Sequence, residues 1–303
     1  MSQKFVLGLL TGIILCSSLI LIPRIQADDD PIEFKKTGNL PQMVEAIDLN
    51  KSYGFAGETM PDNFDTRERL DRELLVNAYW QSSTLLNIKA AHRYFPIIER
   101  ILKENGVPDD FKYLAVAESS LRHVTSPANA KGFWQFRKLA AKEFGLEVNS
   151  EVDERYHIEK STHAACAYLK KLYNRFGSWT NAAAAYNVGP SNFKRMLEDQ
   201  KEDNYYKVNM NSETSRYVFR LIAIKEIMSQ PENFGFYIDS SEKYPPLDNY
   251  YEVTVDKSVA NWGDFARDHN ISYRMLKVYN PWLLDNKLTV IKNTYQIKIP
   301  KES

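Results

Sequence analysis

The 303-residue sequence predicts a mainly α protein in which a helical domain precedes a small α+β module of order βααβ. Two observations lead to this fold class. Apolar residues recur every three or four positions from about residue 65 to residue 229, and no alternating, strand-like run precedes Phe236. Beyond that point, two short alternating runs flank two short helical patterns. Hydrophobic residues make up 44% of the chain, which is enough for real cores and excludes wholesale disorder.

The helical domain is predicted over residues 65–240. The preceding residues 28–64 are polar, contain several prolines and glycines and lack a sustained period, which indicates an extended arm or linker. Between Asp65 and Asn105 the spacing is helical, with Pro96 expected to begin or kink a helix. Residues 106–110 carry the signals for the end of one helix and the start of the next, so a helix is predicted from Pro108 to about Leu121. Further helices are predicted at residues 137–144, 158–176, 179–186, 191–198 and 213–229.

The C-terminal module is predicted over residues 248–301, after Pro245 and Pro246. Its strands are predicted at residues 250–255 and 295–300, and its helices at about 258–269 and 272–279. Two such strands can pair with each other and carry both helices on one face.

The charge balance narrows the class of partner. Thirty-nine basic and thirty-nine acidic residues give a formal net charge of zero, whereas a nucleic-acid-binding protein needs a basic excess on one face. Nucleic acid is therefore not expected as a partner. Aromatic residues make up 13% of the chain, and their flat rings suit sugar or peptide surfaces, although they also fill cores.

The first 27 residues indicate export. Lys4 is followed by an uncharged, mostly apolar run from Phe5 to Pro23, and Ala27 is a small residue at a possible cleavage point. The segment is a signal peptide, or an uncleaved anchor because the run is long. Both alternatives predict a protein of the periplasm or cell envelope, with the envelope membrane as a possible partner. After cleavage Cys166 would be the one remaining thiol, so no internal disulfide is expected.

Glu118 is the sharpest local anomaly in the sequence. It shares a predicted helix face with Phe111, Leu114 and Ala115, so a carboxyl group occupies a position in an apolar stripe. Desolvation disfavours the charged form and raises the pKa, which suits a general acid near neutral pH. The alternative is a glutamate near the helix end that simply reaches water.

Two further segments carry polar side chains in unusual surroundings. Gln135 lies in a glycine-containing aromatic stretch, residues 130–136, where backbone can approach a ligand closely. Tyr186 and Asn187 follow four alanines and precede Gly189, at the end of a closely packed helix. Taken singly, the first stretch is equally compatible with a packed loop, and the second with a helix cap.

A metal site is not expected. Glu159, His163 and Cys166 share a helix face, but no second cluster of ligands accompanies them.

Four segments, in this order and at these spacings, resemble the motifs of the lytic murein transglycosylases: residues 118–120, 126–135, 185–187 and 213–217. The resemblance covers roughly residues 105–230 and implies a lysozyme-like helical fold. The C-terminal module resembles a LysM repeat in residues 262–266, 276–282 and 296–300.

The resemblance also implies roles for individual residues. Glu118 corresponds to the single catalytic acid/base, and Ser126 to a serine that hydrogen-bonds it. The residues implied to line the glycan groove or face the cleft are Gln135, Tyr186, Asn187, Glu213 and Tyr217. The implied partner is the peptidoglycan glycan strand, and the implied reaction cleaves the β-1,4 bond between N-acetylmuramic acid and N-acetylglucosamine, leaving 1,6-anhydro ends without metal or cofactor.

Two alternative functions remain open from the sequence. A hydrolase of the same fold would need a second carboxylate, for which Asp153, Glu154 and Glu213 are candidates. A non-catalytic wall-binding protein would keep the groove and the LysM-like module without turnover.

Overall fold

The computed structural model describes residues 45–301, and this part of the chain contains ten α-helices and four short strands. The predicted signal or anchor at residues 1–27 and the first part of the predicted arm, residues 28–44, lie outside the described residues. Within residues 45–301, no helix has both the length and the apolar character needed to span a bilayer.

Eight helices build the helical domain: α1 Phe64–Tyr79, α2 Gln81–Glu104, α3 Lys112–Ser119, α4 Lys138–Glu143, α5 Ile158–Phe176, α6 Trp179–Val188, α7 Pro190–Gln200 and α8 Thr214–Ser229. The mainly α fold class is confirmed. Helix α2 continues through Pro96 instead of beginning there. Ile88 on one side of the proline and Ile98 on the other are both buried in the same core, so packing holds the helix across the missing N–H donor.

Small side chains set the closest packing in this domain. All four alanines of α6, Ala182–Ala185, are fully buried, and α6 packs against α5, α7 and α8. Helix α5 ends at Gly177, whose φ of 70° is left-handed, and the Ser178 hydroxyl then caps α6 by accepting a hydrogen bond from Asn181 N–H. The chain therefore turns sharply and delivers Tyr186 and Asn187 to the far end of a buried helix.

The described part of the predicted arm is folded onto the helical core, which differs from the extended structure expected for residues 28–64. Strands β1 Gly54–Phe55 and β2 Glu58–Thr59 form a short hairpin. Phe55 is fully buried with its ring 5.1 Å from that of Phe111. The Glu58 carboxylate accepts hydrogen bonds from the backbone N–H groups of Trp179 and Thr180, which caps α6. Glu58, one of the polar residues that indicated a linker, thus serves as a helix cap.

The C-terminal module has the predicted βααβ order: β3 Tyr250–Val255, α9 Trp262–Asp268, α10 Tyr273–Tyr279 and β4 Tyr295–Pro300. Strands β3 and β4 are antiparallel, with Tyr250 opposite Pro300 and Val255 opposite Tyr295. Helix α9 begins later than predicted because Asn261 caps it, accepting a hydrogen bond from Gly263 N–H. The module has its own core, which also contains Val152 of the helical domain.

Candidate active site

Glu118 lies at the end of α3, at a point where the backbone is strained. The two residues that follow the helix, Ser120 and Leu121, have left-handed φ angles of 53° and 52° although neither is glycine. Each such conformation costs on the order of 1–3 kcal/mol and tends to persist at functional sites. The strain ends the helix directly after Ser119, which leaves Glu118 in its last turn.

The carboxyl group of Glu118 is held by α8. The buried Tyr217 hydroxyl donates a hydrogen bond to Glu118 Oε1 at 2.5 Å. Burial raises the pKa of Glu118, and the negative charge of Glu213 also raises it. The Tyr217 hydrogen bond and the positive charge of Arg220 act in the opposite direction, so desolvation decides the sign.

Tyr186 joins the same cluster from α6. Its hydroxyl donates a hydrogen bond to the backbone carbonyl of Trp134 at 2.6 Å. Burial raises the pKa of both Tyr186 and Tyr217 well above the ordinary value, and the charge of Glu118 adds to the effect. Both phenols therefore keep their protons and act as hydrogen-bond donors around Glu118.

Gln135 lies in a tight loop, residues 129–136, which we call the Gln135 loop. Asn129 and Gln135 both have left-handed φ angles, 59° and 48°. The Gln135 amide donates to Gly132 O at 2.8 Å and to Val124 O at 3.3 Å. The amide nitrogen of Gln135 thus holds its own loop, whose Trp134 carbonyl reaches Tyr186.

Ser126 and Asn187 are not joined to Glu118 by hydrogen bonds. The Ser126 hydroxyl accepts from Ala130 N–H at 3.1 Å, so in this structure it stabilises the turn before the Gln135 loop. Within the described residues 45–301, the Glu118 side chain forms its hydrogen bond with Tyr217 and not with Ser126. Asn187 lies partly exposed next to Tyr186 on α6. The roles implied for Ser126, Gln135 and Asn187 therefore remain predictions.

The three candidate second carboxylates lie in different surroundings. Asp153 is buried in a two-point ion pair with Arg155. Glu154 is buried against Lys160 and accepts a hydrogen bond from Glu147 N–H at 2.8 Å. Glu213 is exposed at the start of α8, and it is the one whose charge acts on Glu118.

Sequence reasoning missed Arg220 and Glu73. Arg220 lies three residues after Tyr217, on the same face of α8, and its Nε donates to Glu73 Oε2 at 3.4 Å. Glu73 is a buried carboxylate of α1 that also pairs with Arg72 and Arg216. The spacing from Tyr217 was a usable signal for Arg220, whereas the arginine cluster around Glu73 depends on α1 packing against α8.

The three side chains weighed as metal ligands are engaged elsewhere. Glu159 pairs with Lys298 and with His157, and His163 Nδ1 lies 3.1 Å from the Asn105 amide. Cys166 is fully buried, which raises its thiol pKa to about 12. Within residues 45–301, no three or more His, Cys, Asp or Glu side chains are grouped so that they could hold a metal ion.

Comparison with known proteins identifies two regions of the chain. Residues 95–209 match the family model of the transglycosylase SLT domain, and residues 251–303 match that of the soluble lytic transglycosylase C-terminal LysM-like domain. The chain therefore carries a region that matches the SLT domain, followed by one that matches the LysM-like domain, and both resemblances found in the sequence are confirmed.

Among individual proteins, the chain is similar to membrane-bound lytic murein transglycosylase D of Escherichia coli. The two are 25% identical over 260 residues, which are 82% of this chain and 56% of that protein. The chain thus spans little more than half the length of this relative. It is also 27% identical to a putative tributyltin chloride resistance protein of an Alteromonas species, over 42% of this chain and 62% of that protein.

One solved structure gives a weaker match. An inactive mutant of the lytic transglycosylase Slt from Pseudomonas aeruginosa is 20% identical, with a TM-score of 0.35 over 49% of this chain and 26% of that one.

Proposed function

We propose that this chain is an exported peptidoglycan lytic transglycosylase. It cleaves the β-1,4 bond between N-acetylmuramic acid and N-acetylglucosamine and uses Glu118 as its single acid/base. The observation that carries the proposal is the desolvated Glu118 carboxyl group, whose pKa is raised and whose oxygen accepts a hydrogen bond from buried Tyr217. The envelope is the expected location, with residues 1–27 as signal or anchor.

The first chemical step uses Glu118 as a general acid. Its neutral carboxyl group transfers a proton to the glycosidic oxygen as the bond from that oxygen to C1 of the muramic residue breaks. The departing sugar carries the proton away as a hydroxyl group, and the muramic ring becomes oxocarbenium-like. The Tyr217 hydroxyl then donates to a carboxylate, which is the form that its hydrogen bond favours.

The second step returns the proton to Glu118. The carboxylate takes the proton of the muramic C6 hydroxyl while that oxygen bonds to C1, which closes the 1,6-anhydro ring and consumes no water. Because the nucleophile belongs to the substrate itself, its effective concentration is high, and a carboxylate nucleophile is not required. The enzyme is then ready for another turnover without a metal or cofactor.

The surroundings of the other carboxylates favour this mechanism over hydrolysis. Asp153 is committed to a buried ion pair with Arg155, and the buried carboxylate of Glu154 pairs with the half-exposed Lys160. Neither carboxylate contributes to the pKa shift of Glu118. Glu213 remains the one candidate for a hydrolytic second carboxylate, since its charge acts on Glu118.

The products separate these two mechanisms. We expect digestion of purified sacculi to release muropeptides that are lighter by one water than those released by a lysozyme, as measured by mass spectrometry. Lysozyme digestion of the same sacculi is the control. Reducing, non-anhydro ends would contradict the transglycosylase mechanism and favour hydrolysis through Glu213.

The pH dependence of turnover tests the proton held by Glu118. Activity needs the neutral acid, so kcat is expected to fall as pH rises through the pKa of Glu118, with a midpoint above the ordinary carboxyl value. The Tyr217 hydrogen bond lowers that pKa, so Tyr217→Phe is expected to move the midpoint to higher pH. A midpoint that stays in place, or moves to lower pH, would contradict this role of Tyr217.

The remaining groups are proposed to bind the glycan. The residues proposed to line the glycan groove or face the cleft are Gln135, Tyr186, Asn187, Ser126, Glu213 and Tyr217. The C-terminal module is proposed to bind glycan strands away from the site. A non-catalytic wall-binding protein would share these features. A peptidoglycan zymogram of the wild-type chain distinguishes the two, since a binding protein leaves no cleared band.

A further inference from the structure

Arg155 connects to both ends of the Gln135 loop. Its Nη1 donates hydrogen bonds to Asn129 O and to Phe136 O, each at 3.1 Å. Its other two nitrogens donate to the two oxygens of Asp153, at 2.8 Å and 2.7 Å. Arg155 is 4% exposed and Asp153 1% exposed, so a buried, paired guanidinium fixes the separation between the first and last residues of the loop.

The backbone around Arg155 also presses against the middle of the loop. A Cβ atom built on Gly132 would lie 1.9 Å from the Arg155 carbonyl oxygen, so the two backbones approach as closely as a glycine allows. Gly132 in turn accepts the hydrogen bond from the Gln135 amide. The position of Gln135 is therefore set against Arg155 at the two ends of the loop and in its middle.

The segment that carries Arg155 belongs equally to the C-terminal module. We call residues 147–159 the shared segment. Val152 is fully buried in the core of the module and pairs with Leu283 in a β-bridge. Asp153 N–H donates to Trp282 O at 2.9 Å, and Leu284 N–H donates to Glu151 O at 2.8 Å.

Side chains at both ends of the shared segment extend this contact. Tyr295 OH donates to Glu147 Oε2 at 3.0 Å, and Lys298 pairs with Glu159. Backbone hydrogen bonds, core packing and ion pairs all join the C-terminal module to the shared segment. The module is therefore packed against the helical domain at several points and not joined to it by a flexible linker alone.

We propose that the C-terminal module, acting through the shared segment and the positioning residue Arg155, holds the Gln135 loop in its working geometry. The loop meets the end of α3 next to Glu118, where the Ser119 hydroxyl donates to Phe133 O at 3.1 Å. The module thus contributes to turnover at the site in addition to any glycan that it binds itself. This inference rests on the proposed function for its kinetic consequence, but its structural consequence can be measured without any turnover.

The first variant tests the hydrogen bonds that Arg155 makes to the Gln135 loop. Arg155→Lys keeps the positive charge but loses the planar fork that bonds Asp153 and two loop carbonyls together. Displacing a group by about 1 Å in a catalytic site can cost about a hundredfold in rate, so kcat is expected to fall about tenfold to a hundredfold, with little change in KM.

Two matched variants test the module. Leu283→Ala and Leu276→Ala truncate the same buried side chain in the same core, at 2% and 0% exposure. Leu283 lies opposite Val152 in a β-bridge, so its side chain neighbours that of Val152 in the shared segment, and its truncation opens the core there. Both are expected to lower the free energy of unfolding similarly. On soluble, uncrosslinked glycan strands, Leu283→Ala is expected to lower kcat at saturating substrate, whereas Leu276→Ala keeps it.

Hydrogen exchange of the full chain, followed by mass spectrometry, decides the structural part. Amides of residues 129–136 are expected to exchange about tenfold faster in Arg155→Lys and Leu283→Ala, and at the wild-type rate in Leu276→Ala. Equal exchange in all chains, or equal loss of kcat in the two leucine variants, would overturn the inference. A wild-type chain without turnover would instead contradict the proposed function and leave the exchange result to decide this one.

Discussion

Glu118→Gln is expected to reduce turnover on purified sacculi by about 10⁴-fold, at the upper end of what a single general acid/base contributes. The loss is large because one carboxyl group serves both proton transfers in the proposed mechanism. The glutamine keeps the size of the side chain, and its oxygen can still accept the hydrogen bond from Tyr217. Release of anhydro-muropeptides, measured by liquid chromatography with mass detection, provides the readout.

The stability of the same variant separates catalysis from folding. The folded-state pKa of Glu118 is raised, so the folded protein resists its ionisation. Glu118 therefore destabilises the fold increasingly as pH rises from its ordinary pKa to the raised one. Glu118→Gln removes this effect and is expected to be at least as stable as the wild type at neutral pH.

Glu104→Gln is the matched control for this prediction. It makes the same chemical change on α2, where the glutamate is exposed and paired with Arg100. An exposed pair contributes little, so both activity and stability are expected to stay near wild type. Full activity of Glu118→Gln beside this control would remove Glu118 from the mechanism.

The elements that periodicity predicted best are those whose ends are marked locally. Helix α5 occupies residues 158–176, as predicted, because an amphipathic pattern runs up to Gly177, which ends the helix in a left-handed conformation. Strands β3 and β4 also have their predicted bounds, since each alternates between prolines or turns. The residues next to these element ends were sufficient to predict their bounds.

The hairpin at residues 54–59 could not be predicted in this way. Its burial depends on Phe55 meeting Phe111 and on Glu58 capping α6, whose first residues are 120 or more positions further along the chain. A polar segment without a period gives no local sign of such partners. The same limit explains why the segment was expected to be an arm.

The residues of the candidate site also fall into those that local sequence indicates and those that depend on distant parts of the chain. The apolar stripe drew attention to Glu118 and left two alternatives open, a desolvated carboxyl group or one that reaches water. The raised pKa of Glu118 agrees with the first, because burial of the carboxyl group disfavours its charged form. Its partner Tyr217 lies 99 residues away, and no spacing rule connects them, so only the family resemblance indicated it. Arg155 carried no sequence signal, because its importance depends on which backbone carbonyls the fold brings within its reach.

Trp134→Ala is expected to destabilise the protein by about 3–5 kcal/mol, the range for losing a large aromatic side chain from a core. Trp134 is 0% exposed, and its indole Nε1 donates to Thr162 Oγ1 at 3.0 Å. It therefore joins the Gln135 loop to α5 by both packing and a hydrogen bond. Urea unfolding, followed by circular dichroism at a helix wavelength, measures the change without relying on tryptophan fluorescence.

Trp80→Ala is the control for Trp134→Ala, since Trp80 is 63% exposed between α1 and α2 and its loss is expected to cost under about 1 kcal/mol. Because Trp134 is adjacent to Gln135 and its carbonyl accepts from Tyr186, its replacement is also expected to lower kcat under conditions where the chain stays folded. If the two tryptophan variants unfold at the same urea concentration, the Gln135 loop is not anchored through Trp134. A stability loss without a loss of kcat would show that Arg155 alone is sufficient to hold the loop.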